Sequence, residues 1–147
     1  MADKTFRCRV VTPTHALFDE SVSYASVPAW DGLMGIMHGS SPLVARLGLG
    51  EFRVDFPASE NGGSRSFFVD GGFAKMSSEG LTLLAETAIP IESLSESDAQ
   101  AELAEAEART VDLASPTAAD DSDKITHARN RARLKVRLAK KSRQHGI

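Results

Sequence analysis

The side chains that could most readily carry out a reaction lie in the short segment His38-Gly39-Ser40-Ser41. A serine nucleophile needs a histidine base and an acid that orients this base, all brought together in the folded chain. The segment lacks the Gly-x-Ser-x-Gly spacing that places a serine on a sharp turn between a strand and a helix. We therefore predict a loop of small polar residues here and no catalytic serine.

The sequence also gives little support for a metal site or a phosphate-binding site. His15, Asp19 and His38 could ligate a metal, but they are scattered and have none of the close spacings of a zinc site. The glycine-rich stretch from Asp31 to Gly50 lacks the Gly-x4-Gly-Lys-Ser/Thr pattern of a phosphate-binding loop. A small β-barrel enzyme would need convergent titratable side chains, and the sequence shows no such group.

Charge is strongly segregated along the chain, although the net charge is only −3. Residues 93–123 carry 9 acidic side chains and 1 basic one, whereas residues 124–147 carry 9 basic side chains and no acidic ones. The basic block has three interpretations that the residues leave open. It could pair with the acidic block, contact an acidic protein partner, or bind the phosphates of RNA.

The elements that position these residues change in character near Pro90. Before it, Phe6, Cys8 and Val10 alternate with Arg7 and Arg9, as in a half-buried strand. The same period predicts strands in SVSYASV (21–27), GEFRVDF (50–56), SFFVD (66–70) and LTLLAE (81–86), with turns at 61–63, 70–72 and 78–80. Short strands with frequent turns predict an antiparallel β-sandwich or barrel.

After Pro90 the sequence favours helix. A first helix is predicted from an N-cap at Ser95 to the turn near Pro116, and a second from Lys124 to Arg143, each ~30 Å long. The first presents a stripe of Ala99, Leu103, Ala106, Thr110 and Leu113. The short connection implies an antiparallel hairpin. The predicted fold class is α+β, mainly β, with a β-sandwich in 1–90 and a helical hairpin in 91–147.

The second helix is predicted to have two apolar ridges. One consists of Ile125, Ala128, Ala132, Val136 and Ala139, and the other of Leu134 and Leu138 on the opposite side. An alanine seam between two helices buries little apolar area, so we expect a marginally stable hairpin that could move.

Two further features bear on location. No run approaches the ~18 apolar residues that span a bilayer, and the N-terminus lacks the apolar run of a secretory signal. The single cysteine, Cys8, is interpreted as a buried small hydrophobe. These features predict a reducing, cytosolic compartment.

Several segments, in order, resemble the epsilon subunit of F-type ATP synthase over nearly the whole chain. The opening strand FRCRVVTP is similar to the first strand of that family. Two marker segments follow, and their matching residues are Gly32, Gly35, Ile36, Pro42 and Leu43 in the first, and Gly71, Gly72, Ala85, Glu86 and Ala88 in the second. A β-sandwich followed by an alanine-rich helical hairpin is the architecture that this resemblance implies.

The resemblance implies a non-catalytic rotor subunit of a proton-translocating ATP synthase, on the cytoplasmic face of the bacterial inner membrane or its plastid or mitochondrial equivalent. It implies contact with the membrane rotor (c) ring through a loop around Trp30, Asp31, Gly32 and Leu33. It implies contact with the gamma subunit near Thr12, Ser40, Pro42 and Ala45. It also implies inhibition of ATP hydrolysis by contact of Arg129, Arg131, Arg133 and Arg137 with a catalytic beta subunit.

The chain departs from the family pattern at three places. Ser40 occupies the position of a family histidine, and Leu33 stands where some relatives have a glutamate that faces the ring. In the segment that binds ATP in some bacterial members, Ser95 replaces the aspartate and Asp98 the arginine. We therefore expect weak or absent ATP binding and no cofactor. The alternative function is a small β-domain whose basic helix binds RNA.

Overall fold

The computed structural model describes residues 4–145, without the side chains of Glu60, Gln144 and His145. Within these residues the chain forms eight strands and two α-helices. The strands are β1 Phe6–Val11, β2 Ala16–Val22, β3 Tyr24–Ala29, β4 Gly32–Met37, β5 Leu43–Arg46, β6 Leu49–Asp55, β7 Ser64–Ser77 and β8 Gly80–Pro90. The helices are α1 Glu96–Ala108 and α2 Ala118–His145, and single 3-10 turns lie at Ala58–Glu60 and Ile91–Ser93.

The chain divides into two compact units, one ending at Pro90 and the other beginning at Ile91. The first unit is the predicted β-sandwich and the second contains the two helices, so the predicted fold class is confirmed. In the described part of the chain, neither helix is long and apolar enough to cross a lipid bilayer.

Hydrogen bonding joins the strands in the order β2-β1-β8-β7-β6-β3-β4, and β5 pairs with β7. All of these pairs are antiparallel except β1–β8, where Cys8 aligns with Leu81 and Val11 with Leu84. The core lies between the layers and is formed by alternate residues of the strands, with Phe52, Val54, Phe67 and Leu83 fully buried.

The long β7–β8 hairpin belongs to both layers of the sandwich. Its strand β7 pairs with β6 as far as Asp70 and with β5 from Phe73 onward. Between these halves Gly71 and Gly72 have φ of 79° and 111°. The residues facing the core change from odd numbers (Phe67, Val69) to even ones (Ala74, Met76), because the strand bends at the two glycines.

The β-strand predictions need three corrections. The predicted turn at 70–72 is this bend within β7, because both glycines remain inside a continuous ladder with β8. The predicted single strand 21–27 is two strands that break at Ser23, whose amide donates to the Asp55 carbonyl at 2.8 Å. Strands β4 and β5 and most of β2 were not predicted, because glycine and exposed apolar side chains blur their alternation.

The end of α1 and the start of α2 also differ from the prediction. Helix α1 ends at Ala108, so Thr110 and Leu113 of the predicted stripe lie outside it and Leu113 is 88% exposed. Helix α2 begins at Ala118, six residues before the predicted Lys124, because Asp120 and Asp121 are favourable in a first helical turn. At about 1.5 Å per residue, α1 is about 20 Å long and α2 about 42 Å long. The prediction of two helices of equal length is therefore wrong.

Candidate functional site

The loop that follows β4 holds the candidate catalytic residues, and it is built by backbone contacts. His38 Nδ1 lies 2.9 Å from the carbonyl oxygen of Thr5, and the Ser40 hydroxyl accepts a hydrogen bond from the Met37 amide at 3.0 Å. Both side chains therefore contact backbone atoms, His38 just before β1 and Ser40 at the end of β4. Among the described residues no group of His, Cys, Asp and Glu side chains is placed to hold a metal ion.

The Cys8 thiol is likewise not arranged for chemistry. Its side chain is fully buried in β1, as the sequence predicted. Burial, with a smaller contribution from Asp19, raises the pKa of the Cys8 thiol to about 12. The thiol therefore stays protonated at neutral pH and is a packing residue.

The predicted ring-contact residues form the tip of the β3–β4 hairpin. Trp30 and Asp31 make its two-residue turn, and Gly32 takes the positive φ of 139°. Trp30 is 69% exposed and Leu33 is 75% exposed, so two large apolar side chains point to solvent at this tip. The Trp30 amide donates to the Arg46 carbonyl at 2.9 Å, which fixes the tip against the end of β5.

The four predicted gamma-contact residues do not form one cluster. Ser40 and Pro42 line a cavity of about 510 Å³ beside His38. Thr12 lines a different cavity of about 370 Å³. Ala45 is half-buried in β5 and pairs with Ala74 of β7.

Sequence reasoning missed a row of exposed apolar side chains on the outer face of β7 and β8. The register places Phe73 next to Leu84 and Leu84 next to Val11, and both Phe73 and Leu84 are more than half exposed. Both line the cavity that contains Thr12. The signal was available, because Leu84 alternates with the buried Leu83 and Ala85, which assigns it to the outer face.

The helical hairpin begins with the predicted cap. Ser95 is the N-cap of α1, and its hydroxyl accepts a hydrogen bond from the Asp98 amide at 3.2 Å. The predicted alanine seam is present, since Ala99 and Ala106 of α1 and Ala132 and Ala139 of α2 are all buried. Leu134 and Leu138, which the sequence placed on a second ridge, are buried as well.

Charged side chains bridge the two helices across this seam. Lys135 Nζ lies 3.1 Å from Glu102, Arg143 lies 2.8 Å from Glu96, and a longer contact of 3.8 Å joins Arg133 to Glu107. Of the three interpretations of the basic block, this geometry supports pairing with the acidic block in this conformation.

The four predicted beta-contact arginines have different surroundings. Arg129 donates to three backbone carbonyls at the end of α1. Arg131 is half-buried and lines a cavity of about 250 Å³ together with Glu102 and Glu105. Arg137 is exposed and makes no ion pair with any residue that the structure describes.

Comparisons with known proteins agree with this architecture. The family model of the ATP synthase delta/epsilon chain, β-sandwich domain, matches residues 5–91. The ATP synthase epsilon chain of Rhodopirellula baltica is 35% identical over 102 residues, covering 69% of this chain and 77% of that one. The epsilon chain of Prochlorococcus marinus is 31% identical over 132 residues, covering 90% and 96%.

A solved structure shares the fold of the described chain. A cryo-EM structure of the Euglena gracilis mitochondrial ATP synthase contains a chain with a TM-score of 0.71 at 19% identity, covering 97% of this chain and 82% of that one. With the family model matched over the β-sandwich and curated relatives matched into the helices, this chain belongs to the ATP synthase epsilon chains, a family of non-catalytic subunits.

Proposed function

We propose that the chain is a central-stalk subunit of a proton-translocating F-type ATP synthase, and that it couples the gamma subunit to the membrane rotor ring. The observation that carries this proposal is the pair of exposed apolar surfaces on a β-sandwich of the epsilon family. Exposed aromatic and aliphatic side chains at fixed positions are common anchors of protein interfaces. The chain would be peripheral, on the cytoplasmic face of the bacterial inner membrane or its organelle equivalent.

The ring contact is assigned to the hairpin tip of Trp30, Asp31, Gly32 and Leu33. A two-residue turn and a hydrogen bond to Arg46 hold this tip rigidly, so little ordering entropy opposes docking. Leu33 offers an apolar contact where some relatives would offer a carboxylate.

The gamma contact is assigned to Thr12, Ser40, Pro42 and Ala45, together with the neighbouring exposed row. Phe73 and Leu84 beside Thr12 supply the apolar area that the predicted four residues lack. Large apolar side chains bury more apolar area in an interface than small polar ones and so contribute more binding free energy.

The regulatory contact is assigned to α2, whose arginines would meet an acidic segment of a catalytic beta subunit and inhibit ATP hydrolysis. From Lys124 onward this helix carries nine basic residues and no acidic one, which supports this assignment. The ion pairs to α1 would be exchanged for pairs to the partner, so the acidic α1 competes for the same charges.

ATP binding by the hairpin is proposed to be weak or absent. The Ser95 hydroxyl is used as the helix cap, and the first turn of α1 carries Asp98, which would repel phosphate. The cavity between the helices is lined by the cations Arg109, Lys124 and Arg131. Glu102 and Glu105 line the same cavity and offset part of the attraction for an anion.

The experiment that tests coupling uses membranes stripped of this chain and supplied with purified variants. In the double variant Trp30→Ala, Leu33→Ala, we expect ATP-driven proton pumping to fall about tenfold or more while ATP hydrolysis continues, because the ring contact loses its anchors. Leu113→Ala, which removes an equally exposed apolar side chain elsewhere, is the matched control and should pump like the wild type. Undiminished pumping by the double variant would refute the proposal.

A further inference from the structure

We infer that Arg129 is the C-terminal cap of α1 and the latch of the helical hairpin, so that closing the hairpin and presenting this arginine to a partner exclude one another. The capping role stands on the geometry alone. Its regulatory consequence rests on the proposed function.

Helix α1 has no effective C-terminal cap of its own. The last four carbonyls of any helix lack intrahelical partners, and proteins satisfy them with a following glycine or a nearby basic side chain. The last turn of α1 contains no basic residue, and the C-cap Arg109 has an extended backbone with φ −70° and ψ 139°. The Arg109 amide makes only a long contact of 3.4 Å with the Ala106 carbonyl.

Arg129 of α2 supplies the missing donors. Its Nε donates to the Ala106 carbonyl at 3.1 Å, and its Nη2 donates to the Glu107 carbonyl at 3.3 Å and the Arg109 carbonyl at 2.9 Å. The guanidinium is planar and has five N–H donors, so one side chain reaches three carbonyls that a lysine ammonium could not span. Its positive charge also lies at the negative end of the α1 dipole.

The same N–H donors would be needed for a bidentate contact with a carboxylate of a partner. Because Nε and Nη2 are both engaged, Arg129 cannot hold a carboxylate in a bidentate contact without leaving the end of α1, and the last turn of α1 then loses its cap. Arg137 has no such engagement in the described residues and can approach a partner while the hairpin is closed. The two arginines therefore act at different stages. Arg137 contacts the partner first, and Arg129 is released only when α2 leaves α1.

The test measures hydrogen exchange and carbonyl ¹³C chemical shifts by NMR on the full chain, for wild type, Arg129→Lys and the matched control Arg137→Lys. In Arg129→Lys we expect the amides of Ala106, Glu107 and Ala108 to exchange roughly tenfold faster, because hydrogen bonds to a charged donor are lost. The carbonyl shifts of Ala106, Glu107 and Arg109 should move together. Arg137→Lys should change neither.

Three results would overturn the assignment: unchanged exchange in Arg129→Lys, equal acceleration in both variants, or acceleration that is as large at Gln100 as at the helix end. The last would mean that the substitution opens the whole hairpin and that no local cap exists. None of these readouts involves the ATPase complex, so they separate a failure of the latch from a failure of the proposed inhibition.

The regulatory half is tested in the assembled, inhibited complex. The amides at the end of α1 should exchange faster there than in the free wild-type chain, because Arg129 has left them. Equal or slower exchange in the complex that retains inhibition would contradict mutual exclusion and leave the cap itself standing.

Discussion

Gly72 shows how a single residue sets the geometry of the sandwich. A Cβ atom at this position would lie 2.1 Å from the Leu84 carbonyl oxygen and 2.8 Å from the Ala85 Cα, and its φ of +111° is unfavourable for any other residue. The neighbouring strand can therefore approach closely only because position 72 has no side chain. The exposed side chains of Phe73 and Leu84, which we propose for docking, lie beside this contact, so their placement depends on it.

We predict that Gly72→Ala lowers the free energy of unfolding of the β unit by at least about 2 kcal/mol, since it combines backbone strain with a clash against fixed backbone atoms. Urea denaturation followed by tryptophan fluorescence would measure the change. Gly39→Ala is the control, because Gly39 also has a positive φ of 85° but nothing lies within 4 Å of the added Cβ. A loss no greater than that of the control would show that the close approach contributes nothing.

At the scale of elements, the sequence predicted the start of α1 and not its end. The start is written locally, in a serine followed by acidic residues, and the structure has Ser95 as the N-cap. The end depends on Arg129, which lies in a different helix, so no pattern within α1 could reveal it. Strand β4 was not predicted for a similar reason. Its outward-facing Leu33 and Met37 are apolar, so the sequence does not alternate between apolar inner and polar outer residues.

Ser95→Ala should destabilise the hairpin by about 1 kcal/mol through the loss of the hydroxyl that accepts the Asp98 amide. Amide exchange of the first turn of α1 would report the change. Ser97→Ala removes a hydroxyl two residues away, which lies 3.2 Å from the Ser95 hydroxyl and caps no backbone amide among the described residues, so its effect should be clearly smaller. Equal effects of the two substitutions would argue against the cap.

For the whole molecule, the sequence was informative about the division into a β part and a helical part because composition and charge change together near Pro90. It was less informative about the candidate site. The loop around Trp30 is implied by the family resemblance, whereas the adjacency of Phe73 and Leu84 follows only from the strand register. The unequal surroundings of the four arginines likewise required the packing of the two helices.

This inequality leads to a prediction for the assembled enzyme. Arg137→Glu should weaken inhibition of ATP hydrolysis severalfold, because an exposed contact between opposite charges becomes a repulsive one. The matched control, Lys75→Glu, reverses an exposed charge on the β unit and should leave inhibition as in the wild type. ATPase assays of the reconstituted complex at low and high salt would measure both. Inhibition by Arg137→Glu that equals the wild type at low salt would count against the arginine assignment.

The parallel pair β1–β8, the one such pair among the strands that the structure describes, has a consequence for the order in which the protein folds during synthesis. Strand β1 is made early, yet one of its partners, the segment from Leu81 to Leu84, emerges from the ribosome only after almost the whole β unit. The β7–β8 hairpin can form locally, while the sandwich can be completed only when the N-terminal strand joins it through a contact distant in sequence. Until then, one edge of β1 lacks its β8 partner in the nascent chain, which leaves this strand open to aggregation.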